Sequence, residues 1–169
     1  VKQAEYSINE ATADQIADMC DVYAHHVQYG TGSFEEVPPT VDEIRQRWQQ
    51  RESRNQPTLV AYTGRQFAGF AYAASHKERS AYRFTVEDSI YIAPAFMGQG
   101  VGSVLLENLM ALCTERGFRQ MIAVIGDSAN LGSIRVHESC GFRQVGMARD
   151  IGYKFDRWLD IVYMQRSLR

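Results

Sequence analysis

The sequence is short of the features that mark several protein classes. Only three of its 169 residues are cysteine. Cys20, Cys113 and Cys140 are far apart, odd in number and without a Cys-x-x-Cys spacing, which argues against a disulfide framework, a thiol redox motif or a zinc knuckle. They read as packing residues of a chain suited to a reducing cytoplasm. No stretch approaches the ~18 apolar residues that a membrane-spanning helix needs. Val1-Lys2-Gln3-Ala4-Glu5 has no apolar run behind it, unlike a signal peptide. Neither sign of charge dominates: 18 Lys and Arg stand against 20 Asp and Glu, a net charge of -2. A nucleic-acid or anionic-membrane partner would need a basic face that this balance does not supply. Histidines are few. His25 and His26, adjacent on a predicted helix, point about 100° apart and make a poor metal pair, and His76 stands alone, so no metal site is expected.

What is present is 45% hydrophobic and 22% charged residues, with no Pro-, Gly- or Ser-rich linker and no internal repeat. One globular domain spanning 1–169 is expected. Tyr6–Asn9 reads as an opening strand. Thr12 with Gln15, and Thr40 with Glu43, form capping boxes that open two helices, and the first ends at Gly30. The stretch from Thr31 to Pro39 must be loop. Thr58–Tyr62 and Gln66–Ala74 read as a hairpin across Gly64-Arg65, Lys77–Ala81 as loop and Phe84–Ile92 as a strand. A helix is expected over Val104–Arg116 with Leu105, Leu109 and Leu112 on one face, a strand over Met121–Ile125, and a helix over Asn130–Cys140. Two last strands are expected over Gln144–Ala148 and Leu159–Gln165. The order is mixed α and β, with antiparallel hairpins early and a β-α-β-α-β run late.

The loop Gly98-Gln99-Gly100-Val101-Gly102-Ser103 lies between a strand and an apolar-faced helix. Glycines there let main-chain amides approach a ligand, and the helix start adds free N–H groups and partial positive charge, a seat for a pyrophosphate. The ending Gly-Ser-Val is not that of a P-loop, and the third glycine of the dinucleotide pattern is missing. A plain tight turn is the alternative.

Here the chain resembles the GCN5-related N-acetyltransferase superfamily, whose coenzyme A loop reads Gln/Arg-x-x-Gly-x-Gly/Ala. The matching residues are Met97-Gly98-Gln99-Gly100-Val101-Gly102, with Met97 in place of the polar first residue. Asn130-x-x-Ser133-x-x-x-His137-x-x-x-Gly141-Phe142 matches the second cofactor motif, with His137 where tyrosine is usual. A closer likeness, to phosphinothricin and methionine-sulfone N-acetyltransferases, rests on Gly32-Ser33-Phe34-Glu35, Lys77-x-Arg79-x-Ala81-Tyr82, Thr85-Val86-Glu87-x-Ser89-Ile90-Tyr91 and Gly152-x-Lys154-x-x-x-Trp158-x-Asp160. The resemblance implies a mixed α+β fold: a central, mostly antiparallel twisted sheet of about six or seven strands, flanked by about four helices. It also implies acetyl-coenzyme A as cosubstrate, a small amino-acid-like acceptor and a homodimer.

It further implies roles for particular residues. Ile90, Tyr91 and Ile92 would offer backbone groups to the acetyl carbonyl and pantetheine arm. Gly98 to Ser103 would cradle the pyrophosphate, with Gln99 assisting, and Asn130 and Ser133 would bind the cofactor arm. An attacking alkylamine is mostly ammonium near neutral pH, so a carboxylate must take its proton. Glu87, on the opposite strand face from Val86 and Asp88, is the candidate base, its pKa raised by partial desolvation, or else an orienting carboxylate. His137 is the candidate donor to the departing thiolate, or else a hydrogen-bonding helix residue. Arg79 and Lys77 are candidates for an α-carboxylate partner, Phe34 and Tyr82 for the pocket wall, and Glu35 for the amine. Lys154, Trp158 and Asp160 either bind or pack. A protein or peptide acetyltransferase and a non-catalytic coenzyme A sensor are the competing functions. Glu87 and His137 argue against the sensor, and the aromatic-basic loop against an open peptide groove.

Overall fold

Burial with a period of two along the strands and one-sided burial along the helices sort the chain into a single sheet with helices on both faces. The computed structural model describes residues 5–169; Val1 to Ala4, on which part of the N-terminal reading rests, lie outside the described residues. In chain order the elements are β1 (Ser7–Glu10), α1 (Ile16–Tyr29), α2 (Val41–Ser53), β2 (Thr58–Thr63), β3 (Gln66–Ser75), β4 (Thr85–Ile92), α3 (Val101–Glu115), β5 (Gln120–Gly126), α4 (Leu131–Ser139), β6 (Arg143–Lys154) and β7 (Arg157–Ser167). Both capping boxes are formed: Thr12 with Gln15 opens a 3-10 turn that runs into α1, and Thr40 with Glu43 opens α2. The seven strands lie in the order β1-β2-β3-β4-β5-β7-β6, and every neighbouring pair is antiparallel except β4 with β5. The mixed, mostly antiparallel fold, with seven strands and four α-helices among the described residues, is the one expected.

The sheet's two faces carry separate cores. On one, Val101, Leu105 and Leu109 of α3 pack on Ala71, Val86, Met121 and Ala123. On the other, Ile16, Met19 and Val27 of α1 and Ile44 of α2 cover Val60, Phe70 and Tyr91. Val86, Ile90 and Ile92 of β4 therefore look toward α3, and alternation turns Glu87, Ser89 and Tyr91 toward α1 and α2.

Two sequence expectations need correction. Helix α3 begins at Val101, not Val104, because Gly100 at φ 86° makes the turn and Val101 to Ser103 already belong to the first helical turn. The last two strands are about twice as long as expected and form a continuous hairpin through Phe155 and Asp156, both at positive φ. That is the backbone of a type I′ turn, made without the Asn-Gly or Asp-Gly pair that usually announces it.

The hairpin also fixes the loop after α1. Buried Lys154 donates from Nζ to the carbonyls of Gly30 (2.9 Å) and Ser33 (2.8 Å), while the Phe34 ring lies in a slot left by Gly126 of β5 and Gly152 of β6. Asp160 accepts hydrogen bonds from Ser128 Oγ (2.7 Å) and the Asp150 N–H (3.0 Å), joining the β5–α4 connection to β6. Trp158 is exposed, its ring edge-on to Tyr153. A Cβ at residue 152 would run into the Phe34 ring. Gly152→Ala should therefore destabilise the protein by about 1–3 kcal/mol, the usual range for overpacking, measured by urea unfolding.

Candidate active site

Among the described residues, the only parallel pair in the sheet parts early. β4 and β5 are paired from Thr85–Gln120 to Asp88–Ala123 and no further, although β4 stays paired with β3 as far as Ile92 and β5 with β7 as far as Gly126. Two free strand edges, Ser89–Ile92 and Val124–Gly126, thus face each other across a V. A cavity of about 550 Å³ fills the V and extends to the start of α3. Unpaired main-chain N–H and C=O groups along such edges demand partners, so the V suits an extended ligand carrying amides.

Of the residues singled out in the sequence, Ile90, Tyr91, Ile92, Gly98, Gly100, Val101, Gly102, Asn130, Ser133 and His137 line this cavity. Met97 lines it as well. Gln99 and Ser103 do not, and the Gln99 side-chain amide donates to the carbonyl of Ala95 (2.8 Å) within its own turn. At the mouth, Gly98 (φ 74°) and Gly100 (φ 86°) adopt the left-handed region, with open space where a side chain would begin. Helix α3 has no side-chain cap, which leaves its first amides and their partial positive charge for an anion. These features fit the pyrophosphate and amide-bearing arm of acetyl-coenzyme A.

Asn130 caps α4: its Oδ1 accepts from the Ser133 N–H (3.2 Å) and its Nδ2 donates to the Gly126 carbonyl (3.2 Å). His137 is held at both ring nitrogens, with Nδ1 2.7 Å from the Ser133 carbonyl and Nε2 2.9 Å from Asp88 Oδ2. Burial alone would lower its pKa, but the hydrogen bond and charge of Asp88 outweigh this and hold it above the usual value.

On the opposite face, Glu87 Oε1 lies 2.7 Å from His76 Nδ1, so His76 is not solitary; the Tyr82 ring stands against the imidazole. Lys77 and Arg79 are exposed on the same connection, and neither is ion-paired among the described residues. Phe34 and Glu35 sit on the tethered loop, and Glu35 is paired with Arg47 at 2.8 Å. Glu87, Phe34, Glu35, Lys77, Arg79 and Tyr82 lie outside the cavity's lining.

Sequence reasoning missed several residues. Asp88 lines the cavity, and so do Thr31 and Arg157, the last 3.1 Å from Asp127. His26 Nε2 donates to the Ile92 carbonyl at 2.7 Å and supports the back of β4, with its pKa lowered by burial. The signal for Asp88 was strand alternation: consecutive Glu87 and Asp88 must serve opposite faces.

The pattern that defines the Acetyltransferase (GNAT) family matches residues 20–142. The chain is 49% identical to a phosphinothricin N-acetyltransferase of Alcaligenes faecalis over 92% of its length and 79% of that protein's. It is 31% identical to an L-methionine sulfoximine/L-methionine sulfone acetyltransferase of Salmonella typhimurium, over 96% of this chain and 94% of the other. Among solved structures it resembles a GNAT superfamily phosphinothricin acetyltransferase from Sinorhizobium meliloti in complex with acetyl-coenzyme A, with a TM-score of 0.93 and 39% identity, covering 96% of this chain and 88% of that one.

Gly100 offers a direct check on the cradle. Alanine at a left-handed position is strained by about 1–2 kcal/mol, and relief of that strain would turn the α3 amides out of line. Gly100→Ala should weaken coenzyme A binding about tenfold, as titration calorimetry would read.

Proposed function

Because the chain belongs to the acetyltransferase (GNAT) family and is an N-acetyltransferase that uses acetyl-coenzyme A, we propose that its acceptor is the α-amino group of a small amino-acid-like molecule. The acceptor is of the phosphinothricin, methionine sulfone or methionine sulfoximine type, and its amine attacks the thioester directly. One observation carries the reading: at the closed end of the V, Glu87 and Asp88 put a carboxylate on each face of the sheet, each paired with a histidine. The acceptor class follows the relatives to which nearly the whole chain aligns.

Acetyl-coenzyme A supplies an acetyl group already activated as a thioester. Ile90 and Ile92 turn main-chain groups to the free edge of β4, with the Ile92 carbonyl taken by His26, while Tyr91 pairs with Phe70 of β3; an N–H aimed at the acetyl carbonyl would stabilise its developing negative charge by a few kcal/mol. Gly98 to Ser103 seat the pyrophosphate, and Asn130 and Ser133 hold the β5–α4 corner beside the arm.

Glu87 is the base. His76 Nδ1–H donates to Oε1, which orients the carboxylate and leaves Oε2 for the ammonium proton, taken directly or through one water. His137, on the other face, is the donor to the departing thiolate. Arg79 and Lys77, not ion-paired among the described residues, lie on the same connection as His76 and suit an α-carboxylate, Arg79 in bidentate fashion. Phe34 and Tyr82 wall the acceptor side, and Glu35, steadied by Arg47, attracts the amine.

The active form is a homodimer in a reducing cytoplasm. Supporting the first, Val145, Met147, Ile151, Tyr153, Phe155 and Trp158 leave an exposed apolar stripe on the β6–β7 hairpin, more than a lone surface tolerates comfortably. Supporting the second, all three cysteines are free and buried. Sedimentation should give the mass of two chains, and Ile151→Asp should shift it to one.

Thiol release from acetyl-coenzyme A should be seen with at least one of phosphinothricin, methionine sulfone and methionine sulfoximine. Silence with all three, from folded protein, would refute the acceptor class. Glu87→Gln should lower the rate about 100-fold or more and abolish the acidic limb of the pH profile; an unchanged limb would leave Glu87 an orienting role only.

A further inference from the structure

The Asp88–His137 pair is built with more constraint than a hydrogen-bonding helix residue requires. Both side chains are almost wholly buried, 2% and 5% exposed, and both residues line the cavity at the point where β4 and β5 part. The Ser133 carbonyl can only accept, so His137 Nδ1 carries a hydrogen. A neutral ring would then have only a lone pair on Nε2, and that atom faces a carboxylate oxygen at 2.9 Å. Two lone pairs cannot face each other at that distance, so one additional proton must lie between the two residues.

From this we infer that Asp88 is the positioning residue that keeps His137 protonated, the two forming one buried unit that stores a single proton on the cofactor side of the V. The inference rests on the reading of His137 as donor and goes beyond it: the carboxylate, which the family motifs do not mark, decides whether the donor is loaded. Losing the proton would leave an uncompensated buried carboxylate, which is expensive, so the ring stays an imidazolium through neutral pH.

The other groups facing the pair do not compete for this proton. Cys113 of α3 and Cys140 after α4 both feel the Asp88 charge, and burial pushes both thiols up, Cys113 to about 12, so they remain neutral. The Phe142 ring closes the imidazole's flank, with its centroid 5.0 Å away. No further charged group touches the pair among the described residues. Asp88 Oδ1 has no hydrogen-bond partner, so among the described residues the carboxylate's one hydrogen bond is with the histidine. Transfer of the stored proton to the departing thiolate gives the coenzyme A thiol and leaves the Nε2 lone pair facing the Asp88 carboxylate, a repulsive arrangement that does not persist and that draws a proton back from water.

The stored proton also has a stability signature. A folded pKa above that of free imidazole means that the pair's contribution is complete below about pH 6.5 and is lost as pH rises through the higher folded value. The slope of melting temperature against pH above neutrality should be flatter in Asp88→Asn than in the unsubstituted protein.

The direct test is nitrogen-15 NMR of the histidine rings in the ligand-free protein. At pH 7.5 His137 should show two protonated ring nitrogens. In Asp88→Asn it should be neutral, with the hydrogen on Nδ1. In turnover, Asp88→Asn should lower kcat about tenfold or more, move the alkaline limb to lower pH, and leave the KM for acetyl-coenzyme A within about threefold. A neutral His137 ring in the unsubstituted protein at pH 7.5 overturns the inference and needs no variant to fold. A charged ring in Asp88→Asn, or an unmoved alkaline limb, overturns it too. Failure of all three acceptors would refute the proposed substrate class, whereas the protonation of the pair is decided by the ring spectrum alone.

Discussion

Everything at the site depends on the parting of β4 from β5 after Asp88 and Ala123. Each strand stays anchored on its far side, β4 by β3 and β5 by β7, so neither can bend back to close the gap. The result is two stretches of main chain held extended whose facing polar groups are left unpaired by the sheet, apart from the Ile92 carbonyl, which accepts from His26. Leaving a buried backbone donor or acceptor without a partner costs about 1–3 kcal/mol. An amide-bearing ligand laid between the edges recovers that cost, much as an added strand would. The opening is therefore a binding device that the sheet maintains through its antiparallel flanks.

The same geometry separates the two proton tasks proposed for Glu87 and His137. Alternation along β4 sends Glu87 toward α1 and α2, and Asp88 toward α3 and α4. A base for the incoming amine and a proton source for the departing sulfur must not neutralise each other. Placing them on adjacent residues keeps both close to the apex of the V, while the thickness of the sheet keeps them apart. Their histidine partners come from different elements: His76 follows the end of β3, and His137 stands on α4. The two environments also differ. His137 is almost fully enclosed, whereas His76 and Glu87 are 20% and 32% exposed, which suits an acceptor that enters from solvent and a proton that is kept in store.

Local rules made much of this legible in the sequence. Both capping boxes, the early hairpin, the glycine turn before α3 and the Val86–Glu87–Asp88 alternation are short-range signals, and each reappears in the structure. What escaped depends on register between distant segments. His76 looked solitary because nothing nearby announces that Ala74 of β3 pairs with Glu87, which brings the next residues of the chain to the carboxylate. Lys154 looked equally suited to binding or packing, since its partners, the carbonyls of Gly30 and Ser33, lie more than a hundred residues away. The long β6–β7 hairpin was underestimated because Phe155-Asp156 lacks the usual turn chemistry, and the stretch around Asp150 interrupts the register.

The motif residues themselves turn out to do less binding by side chain than their types suggest. Gln99 spends its amide on Ala95, and Asn130 spends both ends of its own on Gly126 and Ser133. These polar side chains hold the frame in place, and what they leave facing the cavity is largely main chain: the edges of β4 and β5, the glycine turn and the uncapped start of α3. Backbone amides are indifferent to side-chain identity. This explains how Met97 can stand at the rim of the cavity, half exposed, where a polar residue is usual. The substitution removes one polar side chain from the rim and leaves the amides of the turn and helix start in place. Tolerance at that position, and the intolerance predicted at Gly100 three residues on, follow from the same fact.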